Sequence, residues 1–407
     1  MTKDHRRDIV LLFATRIIRM FCYGSLAVVL VLYLTEAGLT ATQVGLLFTL
    51  TLIGDAGISL WLTTHADGFG RKRTLLIGAL LMLGAGIIFI LKNNIIILTI
   101  AAVIGVISPN DKEIGPFLAV EQAGLTQLVP DRSRTKLFAW YNLGGSFSSA
   151  FGALGSGWLA QVLQSSGWTA LESYRAILMG YALGGLILLV LFLGVSPAIE
   201  AAHKQTQQKK VLGLHRSRNV VFKLSALFSI DAFAGGLIVQ SFMAYWFHVK
   251  FGVDTGVLGS IFFGANILAG ISALLAVKLA EKIGLVNTMV FTHVPSNILL
   301  ILVPLMPTLP LAIGVLLLRF SISQMDVPTR QSYTVAVVDP DERSAAAGVT
   351  AIARSVGAAL SPTLTGLFFS IPVLFSAPFF FSGGLKIVYD LLLFREFRSI
   401  KPPEETK

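Results

Sequence analysis

The sequence predicts an all-α membrane protein with twelve transmembrane helices in two pseudo-symmetric six-helix halves. Three observations predict this fold. Hydrophobic residues make up 54% of the chain and charged residues only 13%, whereas about 25% of the residues in a typical soluble domain are charged. About a dozen apolar stretches are long enough to cross a bilayer, which takes roughly 20 residues per helix. The two halves of the chain also share residues at one constant offset.

Polar residues divide the chain into twelve apolar segments, which we number as spans 1 to 12. They run near 9–35, 43–64, 73–92, 95–128, 138–161, 174–195, 220–247, 257–278, 287–306, 310–337, 344–369 and 374–394. Span 1 is too long for a cleavable signal peptide, so we expect it to stay as an anchor. The only cysteine, Cys22, lies within it, which excludes an intramolecular disulfide.

Basic clusters lie at one end of the spans. They precede span 1, follow spans 2, 4 and 12, and fill the polar stretch between spans 6 and 7. By the positive-inside rule, both termini are predicted to be cytoplasmic. We therefore expect an integral multi-pass protein of the plasma (or inner) membrane, whose basic loops contact membrane lipid. This distribution accounts for the net charge of +10 without a nucleic-acid partner.

An internal repeat predicts the domain organisation: 1–200 as the N-terminal six-helix half, 201–219 as a cytoplasmic linker loop, and 220–407 as the C-terminal six-helix half. An ungapped shift of 214 positions pairs Gly38 with Gly252, Gly45 with Gly259, Leu60 with Leu274, Ala66 with Ala280, Asp67 with Glu281, Gly70 with Gly284 and Thr74 with Thr288. Duplicated six-helix halves place a binding site at their interface near the bilayer midplane, as in secondary transporters.

The loop between spans 2 and 3 resembles the loop signature of the major facilitator superfamily. The matching residues are Asp67, Gly70, Arg71 and Lys72, and the second half keeps Glu281, Lys282 and Gly284. In span number, repeat and polarity, nearly the whole chain resembles this superfamily, and it looks closest to the twelve-span drug and metabolite proton antiporters. The resemblance implies that Asp67, Gly70 and Arg71 take part in a latch that closes the cytoplasmic side.

Span 5 is rich in glycine. Gly145, Gly152, Gly155 and Gly157 partly match the antiporter signature of this family, with Ser156 where proline is expected. Close packing of small residues against a neighbouring helix is the other interpretation.

Charged residues recur in the middle of the spans. A central Arg, Lys or Asp costs roughly 2.5–3.5 kcal/mol on insertion, so it is tolerated where it faces a partner or water. In the resembled family, spans 1, 4, 7 and 10 line the central cavity. The residues on these spans that we expect along the solute or proton pathway are Arg19, Asp111, Lys112, Glu113, Glu121, Asp231, Arg319, Asp326 and Arg330.

We predict how some of these charges pair. Asp55 of span 2 and Arg354 of span 11 are expected to pair across the gate. Asp326 and Arg330 have the i, i+4 spacing of an ordinary helix pair, as have Lys386 and Asp390 of span 12. Glu113 is expected to carry a switchable proton with Arg19 as its counter-charge, and Glu121 is the alternative.

These observations predict a secondary active transporter that moves a small polar, anionic or zwitterionic solute by alternating access. Proton coupling, export and a monomeric state are expected. Facilitated uptake or uniport, a lipid flippase, and a non-transporting sensor of the same fold stay open as alternatives. The sequence contains no Gly-x4-Gly-Lys-Ser/Thr phosphate loop, and its histidines lack metal-ligand spacing, so we expect no enzyme activity, cofactor or metal.

Overall fold

The computed structural model describes residues 3–105, 107–109, 117–129, 131–200, 215–339 and 342–400, and this part of the chain is almost entirely α-helical. The helices before the long linker are α1 (Lys3–Glu36), α2 (Ala41–Phe69), α3 (Arg71–Leu91), α4 (Ile95–Ile104), α5 (Phe117–Leu128), α6 (Asp131–Ser165) and α7 (Ala170–Gly194). The helices after it are α8 (Arg218–Leu237), α9 (Gln240–Phe251), α10 (Thr255–Ile283), α11 (Leu285–Leu302), α12 (Leu309–Phe320), α13 (Asp326–Ala336), α14 (Arg343–Leu360), α15 (Pro362–Ser370) and α16 (Ala377–Phe397).

These helices occupy the twelve spans predicted from the sequence. Eight helical segments of the described chain are long and apolar enough to cross a membrane. Four spans consist of two helices each: span 4 of α4 and α5, span 7 of α8 and α9, span 10 of α12 and α13, and span 11 of α14 and α15. In transporters, discontinuous helices typically form the substrate site.

The described chain forms two compact units. The first consists of Met1–Gln207 with Gln240–Phe263, and the second of Gln208–Val239 with Gly264–Lys407. The segment Gln240–Phe263 belongs by sequence to the C-terminal half, yet it packs in the first unit. There the Ser241 hydroxyl donates to the Pro109 carbonyl at 2.6 Å, and the Trp158 indole donates to the Ser260 hydroxyl at 3.1 Å. The half boundaries predicted from the repeat stay a prediction.

Two pairs of glycines that are related by the shift of 214 positions also have the same kind of backbone conformation. Gly70 and Gly284 directly precede α3 and α11 with φ angles of +107° and +87°, and Gly38 and Gly252 have φ angles of +95° and +64°. Glycine adopts this left-handed region without the steric penalty that a side chain brings. The equivalent turns therefore explain why glycine stands at both members of each pair.

Burial follows the polarity of the helices. In α1, all nine residues of Leu26–Leu34 are at most 3% exposed, as expected for a helix that is apolar on every side. Large apolar side chains elsewhere point outward, and Trp61, Phe291 and Leu318 are each more than half exposed. An apolar exterior of this kind suits lipid, whereas several charged residues lie inside.

Candidate functional site

The first unit contains a buried ion pair between α1 and α5. Arg19 donates from Nη1 to Oε1 of Glu121 at 2.9 Å and from Nη2 to Oε2 at 2.6 Å. Both side chains are 0% exposed. Two parallel hydrogen bonds between a guanidinium and a carboxylate fix the orientation of both groups and are stronger than neutral hydrogen bonds.

Neighbouring side chains complete what we call the Arg19–Glu121 cluster. The Thr15 hydroxyl donates to Oε1 of Glu121 at 2.7 Å, and the Tyr141 hydroxyl of α6 donates to Oε2. The Arg19 guanidinium lies 4.5 Å from the ring centre of Phe117. The Glu121 carboxylate is thereby held by three side chains from two other helices.

The second unit is organised around the Asp231 carboxylate of α8. Its Oδ1 accepts from Nζ of Lys386 at 2.6 Å, and its Oδ2 accepts from Nη1 of Arg330 at 3.0 Å and from Nη1 of Arg354 at 3.1 Å. The three cations come from α16, α13 and α14. One carboxylate thus links four helices through charge-assisted hydrogen bonds.

Two further carboxylates border this centre. Arg330 also donates to Asp326 at 2.9 Å, which confirms the i, i+4 pair predicted from the sequence. On the other side, Nδ1 of His293 lies 2.8 Å from Oδ1 of Asp390, and Asn297 donates to Oδ2 at 3.2 Å. We call Asp231, Asp326, Asp390, Arg330, Arg354, Lys386 and His293 the Asp231 cluster.

The Asp231 cluster is balanced in charge when His293 is neutral, since three carboxylates face two arginines and a lysine. Arg354 is its most exposed member, with a side chain 32% exposed against 11% for Lys386 and 8% for Arg330. Arg354 is therefore the cation of the cluster that is most accessible from outside it.

Local sequence explains this convergence. The i, i+4 spacing puts Lys386 and Asp390 on one face of α16 and His293 and Asn297 on one face of α11. Span 10 breaks between Phe320 and Asp326, so that Asp326 lies in the first turn of α13. A carboxylate is stabilised at that position by the positive end of the helix dipole.

The structure brings together part of the predicted pathway. Arg19 joins Glu121, while Asp231, Asp326 and Arg330 meet in the second unit. Arg319 forms no ion pair with them in the described chain, although it is close enough to Asp326 to interact electrostatically. Its Cζ lies 4.9 Å from the ring centre of Phe320, and its buried Nε makes no hydrogen bond within the described chain. Asp111, Lys112 and Glu113 lie outside the described residues.

Two predicted pairings are not tested by the structure. Arg19 contacts Glu121, the alternative to Glu113 in our prediction, whereas Glu113 lies outside the described residues. Arg354 donates to Asp231 within its own unit, and Asp55 lies half-buried on α2. The Asp55–Arg354 pair and the Glu113 proton site stay predictions.

The predicted gating residues lie at the start of α3. The Arg71 guanidinium donates to the carbonyl groups of Ala123 at 3.1 Å and Ile199 at 2.9 Å. The backbone N–H groups of Arg71 and Lys72 donate to Glu200 at 2.7 and 3.1 Å. Arg71 therefore ties three segments of the first unit together beside the Gly70 turn. The side chain of Asp67 is outside the described part.

A carboxylate also caps α8 in the second unit. Glu342 accepts from the N–H groups of Arg216 at 2.9 Å and Ser217 at 2.8 Å, and from that of His215. Hydrogen bonds from the side chain and the backbone of Ser217, together with those two N–H groups, lower the pKa of Glu342 to about 2. The cap is thus a permanent anion at a helix N-terminus.

Sequence reasoning missed three members of these clusters. From the sequence, Lys386 was named only as the i, i+4 partner of Asp390, and neither His293 nor Tyr141 was singled out. Tyr141 is 0% exposed and binds Glu121. The sequence did contain one signal, the i, i+4 pair of Lys386 and Asp390 on span 12, because charged side chains inside a membrane need partners. Within the described chain, no group of three or more His, Cys, Asp or Glu side chains could hold a metal ion.

Comparison with known proteins shows the family of this chain. The sequence profile of the Major Facilitator Superfamily matches residues 12–362. The "Uncharacterized membrane protein YJR124C" of Saccharomyces cerevisiae is 30% identical over 420 residues, which cover 95% of this chain and 93% of that protein.

Solved structures show the same fold at low identity. A bacterial homologue of the human lysosomal transporter Spinster has a TM-score of 0.73 at 17% identity, covering 97% of this chain and 96% of that one. The nucleoside transporter NupG has a TM-score of 0.74 at 15% identity, covering 96% and 99%. The xylose transporter XylE from E. coli has a TM-score of 0.71 at 16% identity, covering 95% and 96%.

Proposed function

Because this chain belongs to the Major Facilitator Superfamily, we propose that it carries a small polar solute, anionic or zwitterionic, across the membrane by alternating access. The family and the apolar helices make it an integral multi-pass membrane protein. Members of this family are transporters rather than enzymes, which agrees with the expectation from the sequence. The solute class and the coupling are our proposals.

The proposed solute class rests on one observation: Lys386, Arg330 and Arg354 all donate hydrogen bonds to the Asp231 carboxylate. Because three cations share one carboxylate, some N–H groups of the two guanidinium groups are left for a second anion. Arg354 is the most exposed of the three cations. Arginine binds carboxylates and phosphates through two parallel hydrogen bonds. A solute with at least one anionic group fits this arrangement better than a purely lipophilic cation.

Proton coupling is proposed because carboxylates lie within the spans of both units. A buried carboxylate binds a proton when its counter-charge moves away. In the first unit Glu121, held by Arg19, is such a group, and Glu113 stays our proposal for the switchable proton. Separation of Arg19 from its carboxylate on a change of conformation would load the proton, and renewed pairing would release it.

We propose export as the direction, a cytoplasmic location of both termini, a plasma or inner membrane, and a monomer. The support for export is the resemblance to twelve-span exporters. The basic clusters support the orientation. Faster net uptake of the solute into inside-out than into right-side-out vesicles would agree with export, and the reverse would contradict it.

A binding screen tests the solute class. Purified protein is heated with glutamate, lactate, citrate, phosphate, xylose, uridine or tetraphenylphosphonium, and the unfolding temperature is measured. We expect at least one anion or zwitterion to raise this temperature and Arg354→Gln to abolish the rise. Arg73→Gln removes an exposed arginine in the first turn of α3 and is the matched control that should keep the rise.

The same screen separates the alternatives. Stabilisation by xylose or uridine alone would contradict a charged solute. Stabilisation by phospholipid alone, with transfer of labelled lipid between leaflets, would identify a flippase. An unchanged solute affinity and flux at every pH would favour uniport over proton coupling.

A further inference from the structure

His293 of α11 lies between two buried carboxylates. Its Nδ1 is 2.8 Å from Oδ1 of Asp390, and its Nε2 is 4.0 Å from Oδ1 of Asp231. The side chain is 6% exposed. Histidine is the side chain whose ordinary protonation change falls nearest neutral pH, and here both ring nitrogens face carboxylate oxygens.

The hydrogen bonds specify where an added proton goes. When Asp390 is ionised, the short contact requires a proton on Nδ1, because a carboxylate only accepts. In the neutral ring, Nε2 is then an acceptor that faces a second acceptor, Asp231. A proton on Nε2 replaces this repulsion by an attraction to Asp231 and keeps the hydrogen bond to Asp390. Asn297, which donates to Asp390 at 3.2 Å, fixes the carboxylate in place for both forms.

Every element packed against the imidazole contributes to its electrostatic surroundings. The charged and titratable groups are Asp231 on α8, Asp326 and Arg330 on α13, Arg354 on α14, and Lys386, Tyr389 and Asp390 on α16. The three carboxylates among them balance the three cations. A second proton on His293 therefore gives the cluster one surplus positive charge.

Lys386 and the protonated ring compete for one atom. Nζ of Lys386 occupies Oδ1 of Asp231 at 2.6 Å, and this is the same oxygen that Nε2 of His293 approaches. A proton on Nε2 therefore weakens the hold of Asp231 on its cations and leaves them available to an anion from outside the cluster.

We infer that His293 binds the transported proton in the second unit, and that this proton and an anionic solute occupy the protein together. The inference rests on the proposed function as an anion transporter and extends it to the sense of coupling. One proton and one anion restore the charge balance of the cluster, so each favours the binding of the other. Solute and proton then move in the same direction, in contrast to the antiport implied by the resemblance to exporters.

Nuclear magnetic resonance of protein labelled with ¹⁵N-histidine tests the proton site without any solute. The chain has six histidines, and the signal lost in His293→Gln identifies the ring. We expect this ring to gain a proton on Nε2 when the solution is acidified, and Asp390→Asn to change that response. A ring whose protonation does not change on acidification would overturn the proton site while leaving anion transport intact.

Transport by proteoliposomes tests the coupling. The liposomes contain pyranine to report internal pH, and glutamate, lactate, citrate and phosphate are added one at a time. We expect entry of a transported anion to acidify the interior, and an imposed acidic exterior to accumulate it. In His293→Gln the anion should still equilibrate, but the accumulation ratio should fall to about 1 and the acidification should disappear, because the proton site is lost.

His248→Gln is the control, since the His248 ring contacts the carbonyl of Val253 and belongs to the first unit. It should keep both signals. If His293→Gln does not elute as a folded monomer, His293→Asn and Asp390→Asn are measured in its place. Alkalinisation of the interior on anion entry would show antiport and would overturn the inference, whereas absence of any anion flux in the wild type would instead overturn the proposed function.

Discussion

At the residue scale, the main feature is that each unit buries charges in matched sets. The Arg19 guanidinium and the Glu121 carboxylate are fully enclosed, and the Asp231 cluster encloses three carboxylates with three cations. Ions removed from water lose several kcal/mol of solvation each, so a partner that is lost leaves a large uncompensated penalty. These residues consequently hold the helices in register.

Removing one partner of the first pair should therefore destabilise the protein strongly. We expect Glu121→Gln and Arg19→Gln each to lower the free energy of unfolding by roughly 3–5 kcal/mol, and the double variant to lose much less than their sum. Denaturant unfolding of the four proteins measures this coupling. The exposed pair of Lys223 and Glu396, at 2.7 Å, is the control cycle and should give at most about 1 kcal/mol. Similar coupling for both pairs would contradict the account.

The sequence could predict which residues carry charge at depth, but not all of their partners. Spacing along a helix places residues on a common face, and this suffices for Asp326 and Arg330. Partners on different helices depend on how the helices rotate and cross, as in the contacts of Asp231 with Lys386 and Arg354. An imidazole such as His293 gives no signal of its own, because an isolated histidine in an apolar span is most often a packed residue.

At the element scale, spans 4, 7, 10 and 11 are interrupted, and ends of helices are closed by carboxylates. Glu200 accepts the first N–H groups of α3, and Glu342 accepts those before α8. The apolar periodicity of the sequence predicts where each span lies. It does not reveal these caps, because Glu200 and Glu342 reach their helices from distant parts of the chain.

The cap on α8 gives a prediction about pH. Since the pKa of Glu342 is lowered to about 2 in the folded protein from an ordinary value of about 4.3, its stabilisation is complete above the ordinary value and is lost as the pH falls toward 2. Glu342→Gln should lower the unfolding temperature by the same amount at every pH from about 8 to about 5. Glu281→Gln, at an exposed site, is the control. The difference should shrink as the pH falls from about 5 toward about 2, and a difference that stays constant over that lower range would show that the pKa of Glu342 is not lowered.

Glycines in α6 give a prediction about helix packing. A Cβ at Gly152 would lie 2.0 Å from the Phe21 carbonyl oxygen of α1, whereas a Cβ at Gly155 would lie 3.5 Å from its nearest neighbour, the Phe21 ring. Alanine favours a helix by about 1 kcal/mol over glycine, so Gly155→Ala should be neutral or stabilising. Gly152→Ala should lower the unfolding temperature because α1 and α6 must separate. Equal unfolding temperatures for the two variants would contradict this packing.

At the scale of the whole molecule, the sequence predicted the fold because three signals agree: the twelve apolar segments, the asymmetric basic loops and the repeat. The paired left-handed glycines at Gly70 and Gly284 show the repeat in the backbone itself. Assignment of Gln240–Phe263 to the first unit could not be predicted, since it depends on tertiary contacts rather than on the order of spans. Sequence and structure both place charge of both signs inside each unit.

The central claim, that the Asp231 cluster recognises an anionic group on a transported solute, is tested most directly by counterflow. Liposomes loaded with unlabelled glutamate, lactate, citrate or phosphate are diluted into the labelled compound, and wild type, Arg354→Gln and Arg73→Gln are compared. We expect transient accumulation of at least one anion or zwitterion by wild type and Arg73→Gln, and a reduction of at least about tenfold in Arg354→Gln, because a charge-assisted hydrogen bond contributes about 1.5–3 kcal/mol. Equal accumulation by all three proteins, or counterflow only of neutral and cationic compounds, would contradict the claim.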